Sequence, residues 1–317
     1  MEGTVSGLSP EGASALFPPP RPGSPSVPGP TVREALIWGM TRLKEAEVPD
    51  PRLSAELLLA EVLGVDRIAL ILAPERPLED ALWASFQEKI QRRSKHEPIA
   101  YLTGKKEFWS LTFQVNPSVL IPRPETELLV ETALSLPWPE GESKTVLELG
   151  TGSGAVIISL ALSLSHRKGF RFVATDVSPE ALAVARQNAK NHGVEEKIRW
   201  VIGDWLSTFT SQRRWFDLIL CNPPYVADGE WSALPPSVRD FEPWTALRGG
   251  ADGLAAIRKI LGRASAQLKV GGWLLLEIGE TQAEAVREAA EKYSFHAMEI
   301  LKDYSGKNRL WKGCCHG

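Results

Sequence analysis

The chain reads as an α/β protein whose larger part is a doubly wound, mainly parallel sheet, preceded by a small helical bundle. Three observations predict this. From residue 145 onward, short apolar runs alternate with amphipathic helical stretches, the pattern of βα units. Residues 31–104 carry helical spacing instead. Two loops that leave predicted strands, Gly150-Thr151-Gly152-Ser153-Gly154 and Asn222-Pro223-Pro224-Tyr225, have unusual compositions, and the carboxyl ends of parallel strands are where open α/β sheets bind ligands.

Residues 1–30 contain Pro18-Pro19-Pro20 and repeated Pro, Gly and Ser. Such a segment cannot bury enough surface to offset its ordering entropy and is predicted to be disordered. It reads as either a real tail or a mis-assigned start, and Met40 falls inside the first predicted helix. Thr31-x-x-Glu34 is a capping box, followed by Val32, Leu36, Met40 and Leu43 at helical spacing. Asp50-Pro51 opens a second helix as N-cap and first-turn proline. Leu53, Leu57, Ala60 and Leu63 are expected to line its buried face, and Gly64 ends it. A short helix over Arg67–Leu72 and a longer one carrying Leu78, Leu82, Phe86 and Ile90 complete the bundle. This domain, 31–104, is read as recognising a substrate, because the chemistry has its own domain downstream.

Residues 105–122 alternate apolar and polar side chains and are predicted to form a β-hairpin linker. The domain expected to carry the chemistry spans 123–317. Arg123-Pro124 leads into a helix with Glu125, Thr126 and Glu127 in its first turn, favourable against the helix dipole. Capping alone explains Glu125, which is not assigned to the site. A strand over 145–149 runs into the glycine loop and an apolar helix over 155–164. Glycines there let the backbone pass close under a ligand, and the helix points unpaired N–H groups at it. A second strand, 171–175, ends in Asp176, placed to accept from ribose hydroxyls. Ser178-Pro179-Glu180 starts a helix that stops at Gly193. A third strand, Ile198–Ile202, ends in Gly203-Asp204-Trp205, where Asp204 is expected to accept from an adenine amino group and Trp205 to cover the adenine face. On this segment alone a nicotinamide enzyme is a fair rival, since Gly150-x-Gly152-x-x-Ala155 meets the relaxed dinucleotide fingerprint.

The fourth strand, Phe216–Cys221, changes the balance, because it ends in Asn222-Pro223-Pro224-Tyr225. Two prolines fix φ near −65° and remove two donors. The carbonyl after Asn222 is held rigidly beside an amide side chain and before an aromatic ring. That set suits gripping a planar –NH2 group through two acceptors while a ring packs on its face. A nucleoside on one side of a crevice and an amide grip on the other fits methyl transfer better than hydride transfer. Beyond it are predicted a helix over 252–268, a strand over 273–278 after Gly271-Gly272, a helix over 282–292, and last strands over 295–301 and 309–312. Glu277 ends the fifth strand with its role open.

Composition bounds the rest. At 317 residues the chain is comfortable for two domains, and a net charge of −3 gives no global attraction to nucleic acid. No apolar stretch approaches the roughly eighteen residues that span a bilayer, and no secretory signal is visible. The three cysteines make no disulfide framework, and Cys314-Cys315-His316 has no partner pair for a metal. The cytoplasm is the expected compartment, with neither membrane nor direct nucleic-acid binding expected.

The run Glu97-Pro98-Ile99-Ala100-Tyr101-Leu102-Thr103-Gly104, then Leu120-Ile121-Pro122-Arg123-Pro124-Glu125-Thr126-Glu127, then Glu148-Leu149-Gly150-Thr151-Gly152-Ser153-Gly154 and Asn222-Pro223-Pro224-Tyr225, resembles the PrmC/HemK family. Glu242-Pro243-Trp244-Thr245-Ala246-Leu247, Gly249-Gly250-Ala251-Asp252-Gly253-Leu254 and Asp303-Tyr304-Ser305-Gly306-Lys307-Asn308-Arg309 match as well, so the likeness covers residues 31–313. It implies a seven-stranded class I, Rossmann-like methyltransferase sheet. It also implies transfer of a methyl group from S-adenosyl-L-methionine to the N5 amide nitrogen of a glutamine, that of the GGQ motif in peptide chain release factors. Ser153 stands where threonine is expected and Cys221 where serine often precedes the asparagine. Glutamine methylation of a ribosomal protein and N6 methylation of adenine in nucleic acid are the alternatives, since the same tetrapeptide grips an exocyclic amine. A non-catalytic cofactor-binding adaptor is disfavoured by the intact Asn222.

Overall fold

The computed structural model describes residues 29–139, 141–209 and 213–316, so the tail expected over 1–30 lies almost wholly outside the described residues. The chain divides into two compact units between Thr103 and Gly104.

In the first unit, helix α1 (Val32–Glu45) starts on the expected capping box: Thr31 Oγ1 accepts from Glu34 N at 3.2 Å and Glu34 returns the bond to Thr31 N at 2.8 Å. Helix α2 (Pro51–Leu63) has its first-turn proline and ends at Gly64, but Asp50 is left-handed, with φ 49°, and its side chain caps nothing. The buried face of α2 is also rotated from the expected one. Ala55, Leu58 and Leu59 enter the core beside Ala60 and Leu63, whereas Leu53 is exposed and Leu57 half-buried. The run Leu57-Leu58-Leu59-Ala60 is apolar on every side, so spacing alone could not choose the face. Helices α3 (Arg67–Leu72), α4 (Asp80–Arg93) and the short α5 (Ile99–Thr103), which periodicity missed, complete the unit. Its core gathers Leu43, Leu58, Leu59, Leu70, Phe86 and Ile90.

The second unit opens with a hairpin of β1 (Lys105–Phe108) and β2 (Leu111–Gln114), shorter than the predicted 105–122 because residues 115–123 leave it as a loop. The hairpin packs within this unit: Phe108 and Phe113 lie in its core. Helix α6 (Glu127–Ser135) follows a single 3-10 turn, Pro124–Thr126. Then come β3 (Lys144–Leu149), α7 (Ala155–Ser163), β4 (Phe170–Asp176), α8 (Pro179–Asn191), β5 (Ile198–Ile202) and β6 (Phe216–Cys221). A one-turn helix α9 (Pro236–Arg239), α10 (Ala255–Gln267), β7 (Leu268–Glu277), α11 (Ala283–Ala290), β8 (Phe295–Lys302) and β9 (Asn308–Cys315) complete the chain.

The seven strands form one sheet in the order β5-β4-β3-β6-β7-β9-β8, parallel except for β9, which runs antiparallel between β7 and β8. Strand β7 begins five residues earlier than the 273 predicted and runs through Gly271 and Gly272, where its register against β6 slips between Phe216 and Leu218. Successive strand residues face opposite sides. Val146, Leu218 and Leu220 pack with α6 and α7, while Leu147, Leu149, Ile219 and Cys221 pack with α10 and α11. Chain order reverses between β3 and β6, so the switch point where such sheets bind ligands lies at the carboxyl ends of these two strands.

Candidate active site

Register brings the two unusual loops together. Leu149 pairs with Cys221, and Cys221 pairs with Leu276. The next residues, Gly150, Asn222 and Glu277, therefore stand in a row across three neighbouring strand exits. A cavity of about 260 Å³ opens there, lined by residues 150–153 of the glycine loop, Asp176, Asp204, Trp205, Asn222 and Pro224. Gly154, Pro223 and Tyr225 are not among the lining residues. Of the expected set, nine residues meet in one cavity, and the other three adjoin its lining residues in sequence.

Gly154 shows what that support is. It precedes α7 with φ 79°, and a Cβ there would lie 2.9 Å from Ile158 Cδ1 and 3.1 Å from Ala185 Cβ. The glycine lets α7 and α8 approach behind the loop. Gly150, with φ 65°, has the Trp205 ring 3.4 Å from where its Cβ would be. Trp205 itself is left-handed, φ 51°, a strained conformation for a bulky side chain and one found at ligand sites.

Asp176 closes β4 and already holds the loop, with Oδ2 accepting from Gly152 N at 2.9 Å and Oδ1 from Ser178 N at 3.0 Å. Burial raises its pKa, against the pull of the backbone N–H groups of Ser178, Gly152 and Val177. Glu148 was read only as a strand residue, yet it lines the cavity and is 4% exposed. Its Oε2 accepts from the Thr151 hydroxyl and from Ile157 N at 3.2 Å, so a carboxyl group takes one of the helix N–H groups expected to face a ligand. Burial pushes its pKa to about 8. A charged residue inside an otherwise buried strand was the available signal.

The elbow is held from outside its own sequence. Asn222 Nδ2 donates to Thr126 Oγ1 at 3.2 Å, and the Tyr225 hydroxyl donates to Glu277 Oε1 at 3.2 Å. Gln282 Nε2 donates to the Tyr225 carbonyl at 2.9 Å. Glu277, 1% exposed, has its pKa raised to about 7 by burial, held back by the Thr126 hydroxyl, the Arg309 guanidinium and the Tyr225 hydroxyl, with Glu125 adding to the rise. The Tyr225 phenol is pushed well up, by burial and by Glu277. Buried Glu242 accepts from Ile121 N at 3.1 Å and pairs with Arg123, joining the two segments that bring Val119 and Pro243 to the cavity.

Behind the loop, Asn188 is fully buried. Its Oδ1 accepts from Gln114 N at 2.7 Å, and its Nδ2 donates to Gln114 O at 3.0 Å and to Ser153 O at 2.9 Å.

A seven-stranded sheet in this order, with a glycine loop after β3 and a carboxylate closing β4, is the fold of class I S-adenosylmethionine-dependent methyltransferases. The hMettl16 catalytic domain in complex with MAT2A 3′UTR hairpin 6 shares that fold at TM-score 0.52 and 16% identity, over 76% of this chain and 84% of that one. Residues 34–104 match the PrmC N-terminal domain family and residues 140–312 a methyltransferase domain family. The release factor glutamine methyltransferase of Moorella thermoacetica is 41% identical over 282 residues, covering 89% of this chain and 97% of that protein. That of Geobacter sulfurreducens is 38% identical over 283 residues, covering 89% and 96%. The chain belongs to the release factor glutamine methyltransferase family.

Proposed function

We propose that the protein transfers the methyl group of S-adenosyl-L-methionine to the N5 nitrogen of a glutamine in peptide chain release factors, with the cytoplasm as its compartment and the helical unit recognising the protein substrate. One observation carries the reading: Asn222 and Pro224 open on the same cavity as the glycine loop, from adjacent strand ends. The lining fits the methyl donor. Asp176 and Asp204 offer acceptors for hydroxyl and amino groups, Trp205 an aromatic face, and Gly150 and Gly152 a backbone without side chains in the way. When bound, S-adenosylmethionine supplies an electrophilic sulfonium methyl.

The chain's own residues then position the acceptor. An amide nitrogen is a poor nucleophile because its lone pair is delocalised, so orientation and charge stabilisation carry the acceleration. Asn222 Oδ1 and the Pro223 carbonyl accept the two N–H hydrogens and stabilise the positive charge that develops on nitrogen. Tyr225 follows Pro224 with its hydroxyl held on Glu277, so its ring is fixed beside the grip and helps exclude water. No histidine is required as base, since an N-methylated amidium gives up its proton readily.

Incubation with labelled S-adenosylmethionine and purified release factor, ribosomes or nucleic acid tests this. Label is expected on the release factor, and replacing its acceptor glutamine abolishes it. Label on ribosomal protein or nucleic acid instead would overturn the reading.

A further inference from the structure

The Asn222 carboxamide has two ends of nearly the same shape and opposite hydrogen-bonding character, so packing cannot choose between them. A substrate –NH2 group needs the oxygen end. A flipped Asn222 would set donor against donor. What faces Asn222 from behind therefore decides whether the grip works, and that neighbour is Thr126, whose hydroxyl can either donate or accept.

The hydroxyl's choice is set one residue further on. Glu277 is 1% exposed, its Oε1 accepts from the Tyr225 hydroxyl, and its Oε2 is buried with no hydrogen-bond partner among the described residues. A buried carboxylate oxygen without a donor is costly, and the hydroxyl of Thr126, itself 5% exposed, interacts with this carboxylate. When Glu277 is ionised that proton turns to it, and Thr126 is left with lone pairs only for Asn222. This agrees with the 3.2 Å bond from Asn222 Nδ2 to Thr126 Oγ1, while nothing among the described residues donates to Asn222 Oδ1. We propose that Thr126 and Glu277 are positioning residues that fix which way the Asn222 carboxamide faces: Thr126 gives its proton to Glu277 Oε2 and a lone pair to Asn222 Nδ2, leaving Oδ1 turned toward the substrate. The same carboxylate, through Oε1, holds the Tyr225 hydroxyl, so one buried group serves both polar side chains of the elbow.

The inference rests on the amide-grip reading but is tested separately from it. Thr126→Val keeps the shape and removes the hydroxyl; Thr126→Ser restores it; Glu277→Gln supplies an amide that donates to Thr126 and frees the threonine proton to pull Asn222 Oδ1 round. Thr126→Val and Glu277→Gln are expected to lower kcat on a release factor about ten- to a hundredfold, the scale of losing a supporting partner of a reactive group. Cofactor affinity by calorimetry should stay within about threefold, and Thr126→Ser should recover most of the turnover. The second readout needs no substrate: in protein labelled with 15N-asparagine, the Asn222 side-chain amide protons should be shifted and slow to exchange in the wild type and in Thr126→Ser. In Thr126→Val and Glu277→Gln they should resemble solvent-facing amides. Unchanged Asn222 amide signals in both of those variants, or a Thr126→Ser variant as impaired as Thr126→Val, would overturn the proposal. A wild type with the expected amide signals but no methylation of any release factor would instead sink the functional reading and leave the side-chain arrangement standing.

Discussion

Asn222 and Asp176 line the same cavity with different neighbours, and their variants are expected to fail differently. Among the described residues the Asn222 side chain makes one hydrogen bond, to Thr126, so its loss disturbs little else. Asn222→Ala is expected to lower kcat by about a hundredfold or more, the scale of losing one pre-organised polar contact. Cofactor affinity measured by calorimetry should be nearly intact. Asp176 lies in the cavity and also restrains Gly152 N and Ser178 N, so Asp176→Ala should weaken cofactor binding in the same measurement. An unchanged affinity would remove it from the ribose role. The sequence brought both to the cavity because one closes a strand and the other directly follows one. Glu277 was placed at a strand end with its role left open, and Thr126 and Glu148 were given no role at the site. Thr126 meets Asn222 across 96 residues and Glu277 meets Tyr225 across 52, and single-sequence patterns carry no information about such pairs.

At the scale of elements, Gly154 lies where α7, α8 and the loop come together. Gly154→Ala places a side chain in the left-handed region and against Ile158 and Ala185. A loss of about 1–3 kcal/mol is expected, read as a lower Tm, together with weaker cofactor binding. The parallel strands were legible because buried runs are short, apolar and bounded by glycine and proline signals. Strand β7 was read short because its start was placed after Gly271-Gly272, which proved to lie within an irregular pairing with β6. The face of α2 was misjudged for the opposite reason, an excess of apolar residues. The β-hairpin was legible as a hairpin, but its packing into the second unit, with Gln114 on Asn188 and Phe113 in the core, joins residues far apart in sequence.

For the whole molecule, buried carboxyl groups set a pH dependence. Glu148 and Glu277 have folded-state pKa values raised to about 8 and about 7. An unfolded carboxyl titrates near 4.3. Between these limits the native state holds more protons than the unfolded one, so this contribution to stability is full below the unfolded value and is lost as pH rises through the folded value. Glu148→Gln is therefore expected to be more stable than wild type at pH 9, by a few kcal/mol, with the advantage vanishing toward pH 5. Denaturant titrations of both proteins across this range check it. A constant difference would mean that Glu148 is ionised throughout, stabilised by Thr151 and Ile157 more than burial opposes it.

Asn188 joins distant parts of the second unit through one carboxamide. It takes both main-chain groups of Gln114 at the end of the hairpin and the Ser153 carbonyl of the glycine loop. The hairpin and the cavity wall at Ser153 thus share one buried side chain. Occupancy of the cavity and ordering of the hairpin are expected to be thermodynamically tied: whichever is ordered first makes ordering the other less costly.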